Sequence, residues 1–202
     1  MHGLKADQRA RFLAARRGMA RSAVVELSRE IAEHVISSRF FRAAGAALLC
    51  SATNNEVETE GVRTAGNASG KLLYCGWVLR QTGGLEFVRV APGEALERGA
   101  WGTYEPTGDE VFRGPGQPAL VIVAGVAFDL SGARLGRGRC YYDRTLRRLR
   151  PSTDILGLAF DMQLTSSLPW DARDEPVGFV LTESGVLCCS EARYPRMPDR
   201  PD

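Results

Sequence analysis

The sequence predicts an α/β domain, and three observations predict it. Short β-branched apolar runs alternate with stretches of helical periodicity along the chain. The most uniformly apolar of those runs, 119–123, is bounded by Pro118 and Gly125 and reads as a strand buried on both faces. At 202 residues, 44% hydrophobic and 25% charged, the chain is of single-domain length and able to bury a real core. Residues 1–193 are expected to form that domain. Residues 194–202, rich in proline and charge, are expected to be a disordered tail.

Composition narrows the function classes. A net charge of +2 says little about partners, and no apolar run approaches the length of a membrane span. The N-terminus lacks the apolar core of a secretory signal. Five cysteines without CxxC spacing indicate neither a disulfide framework nor a zinc site, so a reducing, cytoplasmic setting is expected. Two histidines argue against a histidine-based triad.

Taken in order, residues 3–20 read as a basic helix bearing Lys5, Arg9, Arg11, Arg16 and Arg17, with Leu4, Phe12 and Leu13 as its apolar stripe. Lys5 and Arg9 share one face at i,i+4, which by itself describes a solvated basic surface. A second helix spans Arg21–Ser37, with Val24, Leu27, Ile31 and Val35 inward and Ser22 as N-cap. His34, near its end, reads as a surface residue. Residues 46–50 form the first core strand. Glu56, Glu58 and Glu60 follow, read either as ligand-facing acids or as solvated residues ahead of the next helix. Residues 71–74 and 85–90 are further strands. Residues 91–118 form a long irregular connection of the kind that walls or covers a pocket. Beyond the centre, 156–160 reads as a strand and 177–182 as the last one.

The chain is organised around residues 121–146. After the buried strand come Gly132, Gly136 and Gly138, interleaved with Arg134, Arg137 and Arg139. Glycine lets backbone N–H groups approach an anion closely, and guanidinium forks match phosphate oxygens. A helix beginning near Cys140 adds the positive end of its dipole. Asp143 then falls in the first turn, where a carboxylate is favoured and can hold Mg²⁺ beside phosphates. These residues alone leave two readings open. Seven arginines against one acid between 134 and 150 describe a nucleotide phosphate site or a nucleic-acid patch equally well.

The run FDLSGARLGRGRCYYDR resembles the signature of the 5-formyltetrahydrofolate cyclo-ligase (5,10-methenyltetrahydrofolate synthetase) family. Phe128-Asp129, Gly132, Arg134-Leu135-Gly136, Gly138 and Tyr141-Tyr142-Asp143-Arg144 stand in register with it. Ala124 replaces a proline of the family pattern, and Cys140 replaces its third glycine. Lys5 and Arg9 match a Lys-x-x-x-Arg pair that contributes to ATP binding. Glu56 and Ser51 match positions lining the folate. Trp101 and Glu105-Pro106 match an aromatic-Gly-x-x-Glu-Pro pattern, whereas Cys75-Gly76-Trp77 stands where a proline is usual. In LPWDARDEPVGFVLTE, Asp174 matches an acid that joins Asp143 on Mg²⁺. Gly178 takes the place of a later acid, and Asp171 and Glu175 stand near enough to compete for the metal.

The resemblance covers residues 5–183 and implies a three-layer α/β/α single domain with a mostly parallel central sheet. It implies ATP- and Mg²⁺-dependent closure of 5-formyltetrahydrofolate to 5,10-methenyltetrahydrofolate through a phosphorylated formyl group. Arg137 and Tyr141 are then the expected catalytic residues. Lys5, Arg9 and Arg134 would meet the nucleotide phosphates, together with Arg137 and Arg139. Leu135, Gly136, Gly138, Cys140, Tyr141 and Tyr142 would complete the nucleotide site. Ser51, Glu56 and Trp101 would seat the folate with Arg137 and Tyr141, and Asp143 and Asp174 would hold the metal. The expected partner is the small-molecule folate, with or without a polyglutamate tail, acting on a monomer without nucleic acid or membrane. A non-catalytic folate- or nucleotide-binding relative stays open on the four departures, and a nucleic-acid module on the arginines.

Overall fold

The computed structural model describes residues 2–79, 84–99, 102–113, 119–138, 141–149 and 153–189. Its centre is a sheet whose two central strands, 46–49 and 119–124, are apolar at every position. Strands β1 (Ala46–Leu49) and β2 (Leu72–Leu79) are joined by β3 (Gly84–Val90), which turns back antiparallel to β2. Two short strands, β4 (Glu97–Arg98) and β5 (Tyr104–Glu105), pair as a hairpin. Strand β6 (Ala119–Ala124) returns to the far side of β1, in parallel. A small second sheet follows, from β7 (Ala127–Asp129), β8 (Arg134–Leu135) and β10 (Leu164–Thr165). Strands β9 (Thr153–Leu158), β11 (Phe179–Thr182) and β12 (Gly185–Cys188) complete the main sheet. Its order is β12-β11-β9-β6-β1-β2-β3, with only the two edge strands antiparallel.

Successive residues of the inner strands face opposite ways, and both faces are buried. Ala47, Leu49, Leu120 and Ile122 join one core, covered by α2 (Arg21–Ser37), α3 (Arg39–Ala43) and α4 (Glu60–Ala68). Ala46, Leu48, Val121 and Val123 join the other, closed by Leu146 and Leu149 of α5 (Tyr141–Leu149). The architecture is therefore the expected α/β/α arrangement around a mostly parallel sheet. Helix α1 (His2–Arg17) stands at the ends of the strands, where Phe12 packs with Val126, Ala127, Ala133, Leu135 and Leu168.

Several local expectations are corrected. The first helix ends at Arg17 rather than at residue 20, because Gly18 propagates a helix poorly and Ala20 is extended. Ala20, not Ser22, is the N-cap of α2, and no side chain caps it. Leu4 is exposed and takes no part in the apolar stripe. Residues 91–118 contain the β4–β5 hairpin and a bridge from Val111 to Val88. Residues 177–182 do not supply the last strand, since the turn before Gly185 returns the chain as β12. The expected tail, 194–202, lies outside the described residues.

The glycine- and arginine-rich segment is a folded ribbon rather than an open loop. Asp129 is buried, and its Oδ1 accepts from the Ser131 N–H and hydroxyl and from the Ala133 N–H at 2.6–3.0 Å. Its Oδ2 accepts from the Leu168 N–H at 2.9 Å. Gly132, at φ 81°, passes so close to the following chain that a Cβ would stand 2.2 Å from the Val177 carbonyl oxygen.

Candidate active site

Strand order reverses beside β1, with β2 on one side and β6 on the other, and both parallel neighbours end at the same rim. Open α/β sheets leave a crevice at such a point, outside the carboxyl ends of the strands. Here it is a cavity of about 440 Å³. Cys50 and Ser51 follow β1 into it, Ala124 ends β6 and Gly125 follows it, and Gly76 and Val78 come from β2.

One half of the cavity is cationic. Arg9 of α1 donates Nε to the Gly136 carbonyl at 2.8 Å, which places its terminal nitrogens beside Gly138. Gly138 holds φ at 93°, a backbone region closed to most side chains. Lys5, one turn earlier, reaches Asp174 at 2.6 Å and Asp171 at 3.2 Å. Burial opposes the charge on Lys5, but the hydrogen bonds to Asp174 and Asp171 outweigh it and leave its pKa above the ordinary 10.5. Arg173 first, and Lys5 after it, hold the Asp171 carboxyl below the usual carboxylate range. Arg134 points inward from β8, pairs with Asp143 of α5 at 2.7 Å, and lies over the Tyr142 ring. Among the described residues its buried Nε has no hydrogen-bond partner.

These residues fit the phosphates of a nucleotide and a divalent cation. The orphaned Arg134 Nε, the terminal nitrogens of Arg9 and the Lys5 ammonium are donors around a glycine backbone, as an anion requires. Asp143 and Asp174 line the same cavity. Among the described residues, hydrogen bonds and ion pairs engage Oδ1 of Asp143 and Oδ2 of Asp174, which leaves each an oxygen for a cation. Mg²⁺ is commonly held by one or two carboxylates plus substrate phosphates, so two acids suffice where no cluster of three metal-ligating side chains is found among the described residues.

The other half is built on Glu56. It is buried rather than solvated, in a loop that two asparagines with positive φ, Asn54 and Asn55, turn back toward α1. Its Oε1 receives Arg137 at 2.9 Å and Arg16 at 3.4 Å, and its Oε2 receives the Thr53 N–H at 3.0 Å. Arg137 also donates to the Thr53 hydroxyl at 2.7 Å. Ser51 lines the rim and donates its hydroxyl to the Tyr104 carbonyl of the β5 hairpin. Val78, Leu85, Leu135, Tyr141 and Tyr142 give this half an apolar wall. Burial pushes the Tyr142 phenol well above its ordinary value and the Cys50 thiol to about 12, so both stay neutral.

The structure thus brings together the expected positions Lys5, Arg9, Ser51 and Glu56 with Arg134 through Gly138 and Tyr141 through Asp143, and Asp174 joins them. Trp101, Arg139 and Cys140 lie outside the described residues. The sequence assigns no role to Thr53, whose backbone and hydroxyl both face Glu56, or to Arg16 beyond its place in a basic helix. A signal for Arg16 was present: Lys5, Arg9, Phe12 and Arg16 follow at i, i+4, i+7 and i+11, one helical face.

A family model described as the 5-formyltetrahydrofolate cyclo-ligase family matches residues 2–183. The mouse (Mus musculus) 5-formyltetrahydrofolate cyclo-ligase is 29% identical over 193 residues, covering 90% of this chain and 92% of its own. The enzyme of that name from Escherichia coli strain K12 is 43% identical over 68 residues, covering 33% of this chain and 37% of its own. The solution structure of Aquifex aeolicus 5,10-methenyltetrahydrofolate synthetase superposes with a TM-score of 0.80 at 29% identity, covering 98% of this chain and 97% of that one. The Mycoplasma pneumoniae 5,10-methenyltetrahydrofolate synthetase, at 18% identity and a TM-score of 0.71 over 89% of this chain and 98% of its own, shares the fold.

Proposed function

Because the chain belongs to the 5-formyltetrahydrofolate cyclo-ligase family, we propose that it closes 5-formyltetrahydrofolate to 5,10-methenyltetrahydrofolate, consuming ATP and releasing ADP and phosphate. The observation that carries this reading is one cavity with two unlike halves, a cationic one backed by glycine and one with a buried carboxylate beside an apolar wall.

The chemistry needs both halves at once. A formamide is a poor electrophile, and its oxygen is a poor leaving group. Once the formyl oxygen has taken the γ-phosphoryl group and ADP has departed, the substrate's own N10 attacks the formyl carbon, its N–H proton passes to the departing phosphate, and the C–O bond breaks. The protein's part is positioning and charge. Lys5, Arg9 and Arg134 hold the phosphates, and the N–H groups at Gly136 and Gly138 meet them closely. Asp143 and Asp174 would hold Mg²⁺, which supplies neutralisation of phosphate oxygens. Glu56 accepts from the adjacent N–H donors of the pterin ring. Arg137, standing between the halves, is set to meet phosphoryl charge as it develops, and Tyr141 and Tyr142 fill the junction. Among the described residues no helix is long and apolar enough to cross a membrane, and Cys50, Cys75, Cys188 and Cys189 are free thiols. The reading is of a cytoplasmic monomer.

The test is the coupling of the two substrates. Purified protein with Mg²⁺ and ATP should release ADP only when 5-formyltetrahydrofolate is added. ADP release at the same rate without the folate, or none with it, would contradict the proposal. Bound ATP with no release would point to a binding-only relative.

A further inference from the structure

Arg16 is the most deeply buried charge described in the molecule, at 1% exposure. Its guanidinium directs three donors to two different segments, the loop after β1 and the end of β6. Nε donates to the Asn54 carbonyl at 3.1 Å, Nη1 to the Gly125 carbonyl at 3.1 Å, and Nη2 reaches Glu56 Oε1 at 3.4 Å. Asn55 returns the contact, its side-chain amide donating to the Arg16 and Met19 carbonyls at the end of α1, each at 3.2 Å. One side chain therefore ties α1, the loop after β1 and the end of β6 together beneath the cavity.

Glu56 is shared between two cations of unlike freedom. The Arg137 side chain is 40% exposed, and the Arg16 side chain is 1% exposed. A substrate that engages Glu56 can displace Arg137 toward solvent or phosphate at little cost. Arg16 has no route to water, and a buried charge parted from its counter-ion is strongly unfavourable. Burial already works against its charge, lowering its pKa from 12.5 although Glu56 pulls the other way. We propose that Arg16 is a positioning residue: the fixed counter-ion that holds the Glu56 carboxylate aimed at the substrate's ring N–H donors while Arg137 exchanges partners. The role rests on the functional reading above and adds to it a residue that does not touch substrate.

A merely structural arginine would weaken both ligands alike, whereas a positioning arginine acts through Glu56 on one of them. The experiment measures calorimetric affinities for 5-formyltetrahydrofolate and, separately, for Mg-ATP. The proteins are wild type, Arg16→Lys, Glu56→Gln and the double variant. Lysine keeps the charge but lacks the planar fork. Arg16→Lys should weaken the folate about tenfold or more and leave ATP within about twofold, and in the Glu56→Gln background it should cost less than about twofold further. Arg16→Met, which also removes the charge, should lose more folate affinity than Arg16→Lys. Should Arg16→Met fail to fold, Arg16→Lys carries the comparison alone. Equal weakening of both ligands, or an undiminished loss in the Glu56→Gln background, would overturn the positioning role. Wild-type protein that binds no 5-formyltetrahydrofolate would overturn the functional reading and this role with it.

Discussion

Arg134 and Arg137 stand three residues apart in one motif and meet opposite fates. The Arg134 side chain is 3% exposed and paired with Asp143, whereas that of Arg137 is 40% exposed and rests on Glu56 and Thr53. Removing one partner of a buried pair costs several kcal/mol, but a half-exposed pair contributes about 0–1 kcal/mol. Arg137→Ala should therefore lower turnover by about a hundredfold or more while leaving stability within about 1 kcal/mol. Steady-state kinetics beside a denaturant titration checks this, and equal losses in both would make Arg137 structural. Positions such as Lys5, Arg9, Glu56 and Asp143 were legible because each sits at a fixed offset in a motif. Arg16 was not, since one more arginine in a basic helix reads as solvated until the carbonyls of residues 54 and 125 are seen to converge on it.

Secondary structure was legible where periodicity ran long enough. The spacing of Val24, Ile31 and Val35 located α2 with its bounds, and the apolar run at 119–123 located β6. The hairpin β4–β5, the ribbon β7–β8 and the edge strand β12 are two to four residues each and carry almost no pattern. Their positions depend on contacts distant in sequence. Gly132 is the clearest case. Its φ of 81° and the Val177 carbonyl 2.2 Å from a would-be Cβ couple the arginine ribbon to the segment carrying Asp171 and Asp174. Gly132→Ala should cost more than about 1–2 kcal/mol from backbone strain alone, with the steric overlap added. Melting should fall by roughly 2–4 °C per kcal/mol in a domain of this size. An unchanged melting temperature would mean that the ribbon can shift without the site, contrary to this packing.

On the scale of the whole molecule, charge is clustered, with seven arginines against one acid between residues 134 and 150. Arg134, Arg137 and Arg147 of the basic run are each paired with an acid. The layered fold follows from strands buried on both sides. The cavity follows from the reversal of strand order beside β1, which no local pattern announces because it depends on where β6 returns. Two chemically unlike half-sites meet in that crevice, and ring closure requires them to act together. The most direct measurement follows the near-ultraviolet band of 5,10-methenyltetrahydrofolate in purified protein given 5-formyltetrahydrofolate and Mg-ATP. The expected result, if the two halves act together, is a rise that requires both ATP and Mg²⁺. No rise from folded protein that binds both ligands would contradict it.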